Sequence, residues 1–430
     1  MPPLTNDKKP TIITKHLNIV GDETLYIERT IETALKEALN DFPVILLTGP
    51  RQVGKTTLLK KIAESEYEYV ALDNPVIRES AINEPALFLQ RYRPPVIIDE
   101  IQYASNLLSY IKIDVDKTQQ TGRYILTGSQ IFHMMKGVGE SLAGRVAIFN
   151  LLGLSEAELD GRAKQKAFIP TAKSVELSYR NNRNKKLMEI FNRIHKGSMP
   201  AVYARNIKNI ELFYSSYLQT YLQRDIKDLT QVADETTFLN FLSVIAARTA
   251  TELEYTTIAR EVGISVPTAK RWVSILISSG IVYLLQPYHN NRLKRIIKRP
   301  KLYFLDTGLC AYLTKWPAPN TLESGAMSGA FFETWVITEI IKRYYNVGKA
   351  PPIYYYRDKD KKEIDLIIET GNTIHPFEIK KTANPKRDAT KHFSALEKTN
   401  KAIGFGGVIC LSEDLLPINK RDWIIPVNVL

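Results

Sequence analysis

The residues best suited to chemistry begin at Gly49-Pro50-Arg51-Gln52-Val53-Gly54-Lys55-Thr56-Thr57. The spacing is that of the phosphate-binding loop, G-x-x-x-x-G-K-[ST]. Gly49 and Gly54 let the backbone turn its amide N–H groups inward onto phosphate oxygens. The helix expected after the loop adds the positive end of its dipole. Lys55 is the cation for the outer phosphates, and the Thr56 hydroxyl is the expected ligand of Mg²⁺. A second group is Val96-Ile97-Ile98-Asp99-Glu100, an apolar run that ends in two carboxylates. Asp99 fits the partner of Mg²⁺, and Glu100 fits a base for the attacking water. After the next apolar run, Ser129 is the expected polar contact to phosphate or water, with Gln130 second. Arg145 fits two roles. It is a finger on the nucleotide of a neighbouring copy, or a cap on its own helix.

A second candidate site lies near the C-terminus. Asp365 stands 13 residues before Glu378, and Lys380 follows Glu378 by two. On a strand, Glu378 and Lys380 share one face. If Asp365 occupies the paired strand, Asp365 and Glu378 converge on one Mg²⁺ or Mn²⁺, hard cations that favour carboxylate oxygen. Lys380 would then activate water and steady developing charge. Glu333, on an upstream helix, is a further expected metal ligand. The alternative is an ordinary ion pair between Asp365 and Lys380.

These residues need particular elements to hold them. Apolar runs at 44–47, 69–72, 96–98, 124–126 and 146–149 alternate with helical spacing. Such near-continuous runs imply a parallel sheet covered on both faces. A helix over 25–40 has Ile27, Ile31, Ala34, Leu35 and Ala38 on one face, and one helix is expected over 77–91. Residues 160–186 are basic and polar and read as a linker or exposed loop. Helical spacing resumes over 187–247. Then Tyr255–Glu261, a turn at Gly263–Ser265 and Val266–Ser278 outline a helix-turn-helix. Its apolar face would hold Ala269, Trp272, Val273, Leu276 and Ile277. Ser265, Thr268, Lys270, Arg271 and Ser274 would stay open. Two strands follow, flanking a basic wing. Residues 292–301 contain six cations, which suit phosphate contacts. The last region is expected in the order αβββαβ.

Gly49–Thr57, Val96–Glu100, Leu126–Ser129 and Ser141–Arg145, in this order, resemble the AAA-type P-loop ATPases of prokaryotes. The phrases Tyr221–Ile226 and Lys301–Leu309 are similar to the subgroup that carries a C-terminal domain of unknown function. Asp365, Glu378 and Lys380 match the motif of the PD-(D/E)xK restriction-endonuclease fold, although Glu363-Ile364 stands where a proline is usual. The resemblance implies an α/β chain in three parts: a parallel-sheet ATPase domain at 20–160, a helical and winged-helix region at 187–315, and a nuclease-like domain at 325–430. It implies ATP and Mg²⁺ as cofactors and ATP hydrolysis coupled to DNA handling, with metal-dependent cleavage of DNA or a non-cutting switch as the two outcomes.

Composition is consistent with this. The 430 residues carry a net charge of +12 with pI near 9.3, which favours an anionic partner, DNA first. The two cysteines, Cys310 and Cys410, are too far apart for a metal motif or a disulfide framework. No secretory h-region and no run of about 18 apolar residues is present, so a cytoplasmic protein with no membrane partner is expected, with homo-oligomers possible through Arg145.

Overall fold

The structure is a computed structural model. It describes residues 26–63, 66–128, 138–139, 141–221, 235–289 and 299–430. Five strands form the first sheet: β1 (Val44–Thr48), β2 (Glu68–Ala71), β3 (Val96–Asp99), β4 (Tyr124–Gly128) and β5 (Val146–Asn150). Their order is β2-β3-β4-β1-β5, and every pairing is parallel. β1, β3 and β4 are buried from end to end. That is why they read as unbroken apolar runs rather than alternating ones.

The first helix runs over Ile31–Asp41 and buries Ile31, Leu35 and Ala38. Ile27 precedes it. The single helix expected over 77–91 is two helices, Pro75–Asn83 and Pro85–Arg91. Pro85 lacks the N–H that would continue the first, and it opens the second instead.

Residues 160–186 are not a linker. Ala163 and Phe168 are buried. Thr171 caps a helix over Ala172–Asn181 that buries Val175. Some of the cations that suggested solvent are paired. Lys185 Nζ lies 2.8 Å from Asp160 and also contacts Glu156, and Arg162 donates to Asn182 Oδ1 at 2.7 Å.

Helices at Leu187–Lys196, Pro200–Ala204, Ile210–Tyr221 and Glu235–Ala246 follow. Tyr255–Val262 then ends on Gly263 in the left-handed region (φ 78°), and Ser265 caps Val266–Ser278 by accepting from Thr268 N. The second helix buries Ala269, Trp272, Val273, Ile275 and Leu276. Ile277, expected inside, is exposed, and Ile275 takes its place. Phe238 and Phe241 meet Trp272 edge-on at 5.0 and 5.1 Å between ring centres. Three strands, β6 (Thr251–Glu252), β7 (Val282–Leu285) and β8 (Lys301–Phe304), form an antiparallel sheet in the order β6-β8-β7. Most of the basic segment between β7 and β8 lies outside the described residues, as do Arg224 and Asp225.

The last part opens with the helix Ser328–Tyr345. Strands β9 (Ile353–Arg357), β10 (Glu363–Thr370) and β11 (Thr373–Lys380) form an antiparallel meander. β12 (Ala402–Ile403) and β13 (Gly406–Cys410) pair parallel to β11, and β15 (Asp422–Pro426) pairs parallel to β13. β14 (Leu416–Pro417) closes the edge. The expected order holds as far as β13, with a 3₁₀ helix at Arg387–Lys398 in the position of the second helix. β12, β14 and β15 are additions.

One hydrophobic core runs through all three parts, from Ile31 and Ile45 through Trp272 and Phe304 to Trp335, Phe377 and Leu430. Within the middle part, Asp306 gathers several turns in polar terms. Its buried carboxylate accepts from Ser198 N at 2.7 Å, Ser198 Oγ at 2.9 Å, Tyr214 OH at 2.8 Å and Leu309 N at 2.8 Å. Removing it leaves several buried donors without an acceptor. Asp306→Ala is therefore expected to cost about 2–4 kcal/mol, measured by urea unfolding; a loss below about 1 kcal/mol would mean that water or a shift of the chain replaces the acceptor.

Candidate functional site: a phosphate loop facing a helical wall

β1 delivers the chain to Gly49, and the helix Lys55–Ala63 carries it away. Gly49 is required by close approach. A Cβ there would stand 2.0 Å from the Leu151 carbonyl oxygen. Lys55 is largely buried, and its ammonium donates to the Gly49 and Pro50 carbonyls at 2.8 Å each. It is thus held at the mouth of the loop, where a phosphate would be met.

β3 is separated from β1 by β4, and its C-terminal end brings Asp99 to the loop. Thr56 Oγ1 donates to Asp99 Oδ2 at 2.7 Å. The hydroxyl and carboxylate expected to share Mg²⁺ are therefore adjacent, and the donor set, one hydroxyl and one carboxylate with room for phosphate oxygens, fits that ion. Tyr69, on β2, also donates to Asp99 Oδ2 at 2.7 Å. Burial first, then the Asp99 carboxylate, pushes the Tyr69 phenol up. Glu100 turns out of the strand in the left-handed region, φ 58° and ψ 45°. This is a strained conformation for a residue with a side chain. It faces the cleft, within 3.9 Å of Arg51 and in contact with Gln102.

Above the loop is a cleft of about 640 Å³ with two walls. One is Gly54, Lys55, Thr56, Thr57 and Glu100. The other comes from the helices after residue 197, with Pro200, Ala201, Ala204, Arg205, Phe213 and Tyr217. Tyr26 and Ile27 reach the same space. Sequence reading did not find this second wall. Gly197-Ser198-Met199-Pro200 was the available signal, a small-residue turn followed by a proline at a helix start.

Sequence reading also missed Arg29 and Glu158. Arg29 donates to Val53 O at 2.9 Å and Leu152 O at 2.7 Å, and lies 3.3 Å from Glu158. Ser155-x-x-Glu158 is a capping box, a pattern visible in the sequence.

Ser129 and Gln130 lie outside the described residues. β4 ends at Gly128, beside Thr48 of β1. Arg145 stands before β5, at the end of the sheet opposite the loop. It pairs with Asp116 through two nitrogens, at 2.5 and 3.0 Å, and donates to Ala143 O at 2.9 Å.

The C-terminal candidates do meet. Asp365 on β10 lies one step beyond the Leu366–Phe377 pair, opposite Glu378 on β11. Lys380 Nζ is 3.1 Å from Asp365 Oδ2 and 2.8 Å from Glu378 Oε2. Burial first, then Asp365, pushes the Glu378 carboxyl up to about 8. Glu333 approaches from its helix, and burial pushes it up to about 7. Two further groups, Lys301 and Glu363, were not anticipated here. Lys301, from β8, lies 3.2 Å from Glu333, 2.5 Å from Glu363 and 3.8 Å from Asp365. The residues expected to ligate a metal are thus gathered, but around ammonium groups. Among the described residues no group of three or more His, Cys, Asp or Glu is disposed to hold a metal ion.

Comparison with known proteins follows the same division. Residues 41–159 match a family described as an AAA domain. Residues 188–320 match a domain of unknown function, DUF8612, and residues 328–430 match another, DUF4143. The uncharacterized proteins Rv2008c of Mycobacterium tuberculosis and Mb2031c of Mycobacterium bovis are each 29% identical over 409 residues, covering 94% of this chain and 85% of theirs. A Walker-type ATPase of Pyrococcus abyssi shares 14% identity, with 67% of this chain and 96% of that one covered and a TM-score of 0.44. A STAND signal-transduction ATPase with a tetratricopeptide repeat sensor, from Pyrococcus horikoshii, shares 14% identity over 76% of this chain and 48% of that one, with a TM-score of 0.22.

Two substitutions separate binding from chemistry. Lys55→Ala is expected to abolish nucleotide binding measured by calorimetry, because the phosphates lose their cation. Glu100→Gln is expected to bind normally and to hydrolyse at least about 10²-fold more slowly; a wild-type rate would assign the base elsewhere. The loop and the carboxylates that end β3 fall within residues 41–159, the stretch that matches the AAA-domain family, and their arrangement is that of a nucleotide-binding phosphate loop.

Proposed function

We propose that the chain hydrolyses ATP in the two-walled cleft and uses the nucleotide state to reposition its middle region, a winged-helix module that contacts DNA. The observation that carries this reading is the second wall. A nucleotide held by Lys55 and Thr56 would touch residues Pro200–Tyr217, which belong to the middle region. Glu100 would orient water in line with the outer phosphate and take its proton. The bond from that phosphorus to the bridging oxygen would break, and Lys55 would balance the charge left on the remaining phosphates. Bound Mg²⁺, held by Thr56 and Asp99, would supply further charge neutralisation.

One contact leads from the loop to the module, and a second ties the module to the other wall of the cleft. Gly280, just after the helix Val266–Ser278, packs so closely on the loop that a Cβ would stand 2.7 Å from Pro50 Cγ. Asp306 anchors Ser198 beside Met199 and Pro200. On the outer side of the module Ser265, Lys270, Arg271 and Ser274 are exposed, as DNA contact requires. The net charge of +12 favours the same partner. Arg145 stands at the far end of the sheet from its own loop, held by Asp116 and the Ala143 carbonyl, which suits the capping role; a role on nucleotide would have to be played on a neighbouring copy. Sedimentation with ATP tests this, and a fully active monomer would contradict it. Metal-dependent cleavage by Asp365, Glu378 and Lys380 stands behind the switch reading, because ammonium groups already balance those acids.

DNA binding should weaken steeply with salt. Neutralising Arg292, Lys294 and Arg295 together should flatten the slope of log K against log salt by about three units, at roughly 0.9 for each phosphate that is no longer neutralised. An unchanged slope would place the DNA surface elsewhere or exclude DNA as the partner.

A further inference from the structure

Lys301 is a buried cation that neither the nucleotide cleft nor the DNA-facing side of the module uses. It opens β8 and is 3% exposed. A lysine so enclosed ordinarily loses its proton, since burial penalises the charged form. Here three carboxylates from two elements surround its ammonium: Glu333 at 3.2 Å, Glu363 at 2.5 Å and Asp365 at 3.8 Å. They outweigh burial and hold the lysine protonated. The ring of Tyr355 lies on another side, 5.6 Å from the ammonium.

The carboxylate oxygens nearby are largely taken. Asp365 Oδ2 accepts from Ile379 N at 2.9 Å and from Lys380 at 3.1 Å. Glu333 Oε1 accepts from Tyr303 OH at 2.7 Å. Glu378 holds Lys380 at 2.8 Å. A divalent ion placed between Glu333 and Asp365 would have to displace these donors and would face an ammonium group at close range. The cluster as it stands does not fit a metal. It fits the lysine.

We infer that Lys301 is the resident cation of this carboxylate cluster, standing in the place of a divalent metal and pinning the β6-β8-β7 sheet to the C-terminal domain. Two internal ammonium groups, Lys301 and Lys380, sit among four acids, Glu333, Glu363, Asp365 and Glu378, of which burial pushes Glu333 and Glu378 towards the neutral form. The cluster is then an intramolecular lock rather than a metal centre. This inference does not depend on the nucleotide reading.

The test is titration of the full chain with Mn²⁺ in the absence of nucleotide, followed by electron paramagnetic resonance and by melting temperature. The wild type is expected to show no Mn²⁺ binding that Asp365→Asn removes, and no Mn²⁺-dependent rise in Tm. Lys301→Met, of similar length and without charge, is expected to lower Tm by about 5 °C or more, as loss of one member of a buried ion cluster does. It should also gain a Mn²⁺ site that Asp365→Asn abolishes again. Wild-type binding of Mn²⁺ that depends on Asp365 would overturn the inference. So would a folded Lys301→Met protein with unchanged Tm or without Mn²⁺ uptake. If Lys301→Met fails to fold, the comparison of wild type with Asp365→Asn decides the question alone.

Discussion

The buried pair between Arg29 and Glu158 ties the phosphate loop to everything around it. Both side chains are almost sealed, at 4% and 0% exposure. A buried ion pair is stable only when its other hydrogen-bonding groups are also used. Here Glu158 accepts from Thr30 N at 2.8 Å, Ser155 N at 2.8 Å and Asn346 Nδ2 at 3.3 Å. Arg29 holds the carbonyls of Val53 and Leu152. One ion pair therefore connects the entry to the first helix, the phosphate loop, the turn after β5 and the end of the helix Ser328–Tyr345. A loop that must aim its amides at a polyanion leaves its carbonyls facing inward. Arg29 satisfies one of them from behind.

The turn after β5 extends the same logic to the C-terminal domain. Glu156 N donates to Glu339, and Lys342 donates to both Glu339 and the Leu154 carbonyl. Tyr344 donates to Phe168 O, and Arg343 to Val429 O. The helix Ser328–Tyr345 is buried on nearly every side for this reason. Its charged residues meet protein partners rather than water: Glu339 and Lys342 meet the turn after β5, Arg343 meets Lys166 O and Val429 O, and Glu333 meets Lys301 and Tyr303. Among the described residues, the phosphate-loop region and the C-terminal region are joined by buried hydrogen bonds.

This also explains what the sequence disclosed and what it withheld. The phosphate loop, β1, β3 and β4 were legible because their residue types are dictated locally: glycines for positive φ, a lysine for phosphate, unbroken apolar runs for a covered parallel sheet. The turn at Gly263 and the cap at Ser265 were legible for the same reason. Glu378 and Lys380 were found because strand periodicity puts them on one face, and Asp365 because the motif they resemble expects an acid on the paired strand. Residues 160–186 were misread because basic residues look solvated until their acids are known, and Lys185 finds Glu156 and Asp160 far earlier in the chain. Lys301 and the wall at Pro200–Tyr217 depend on contacts between parts of the chain far apart in sequence, which no local pattern encodes.

The central claim is that nucleotide in the cleft is felt by the module beyond it. Hydrogen exchange of the Glu100→Gln protein, with and without ATP and Mg²⁺, tests that most directly. The account predicts slower exchange in the loop Gly49–Thr57, and also in Pro200–Ala204, Val266–Ser278 and Thr307–Leu313, the helix that Asp306 caps. Protection confined to the loop, with those three helices unchanged, would contradict it.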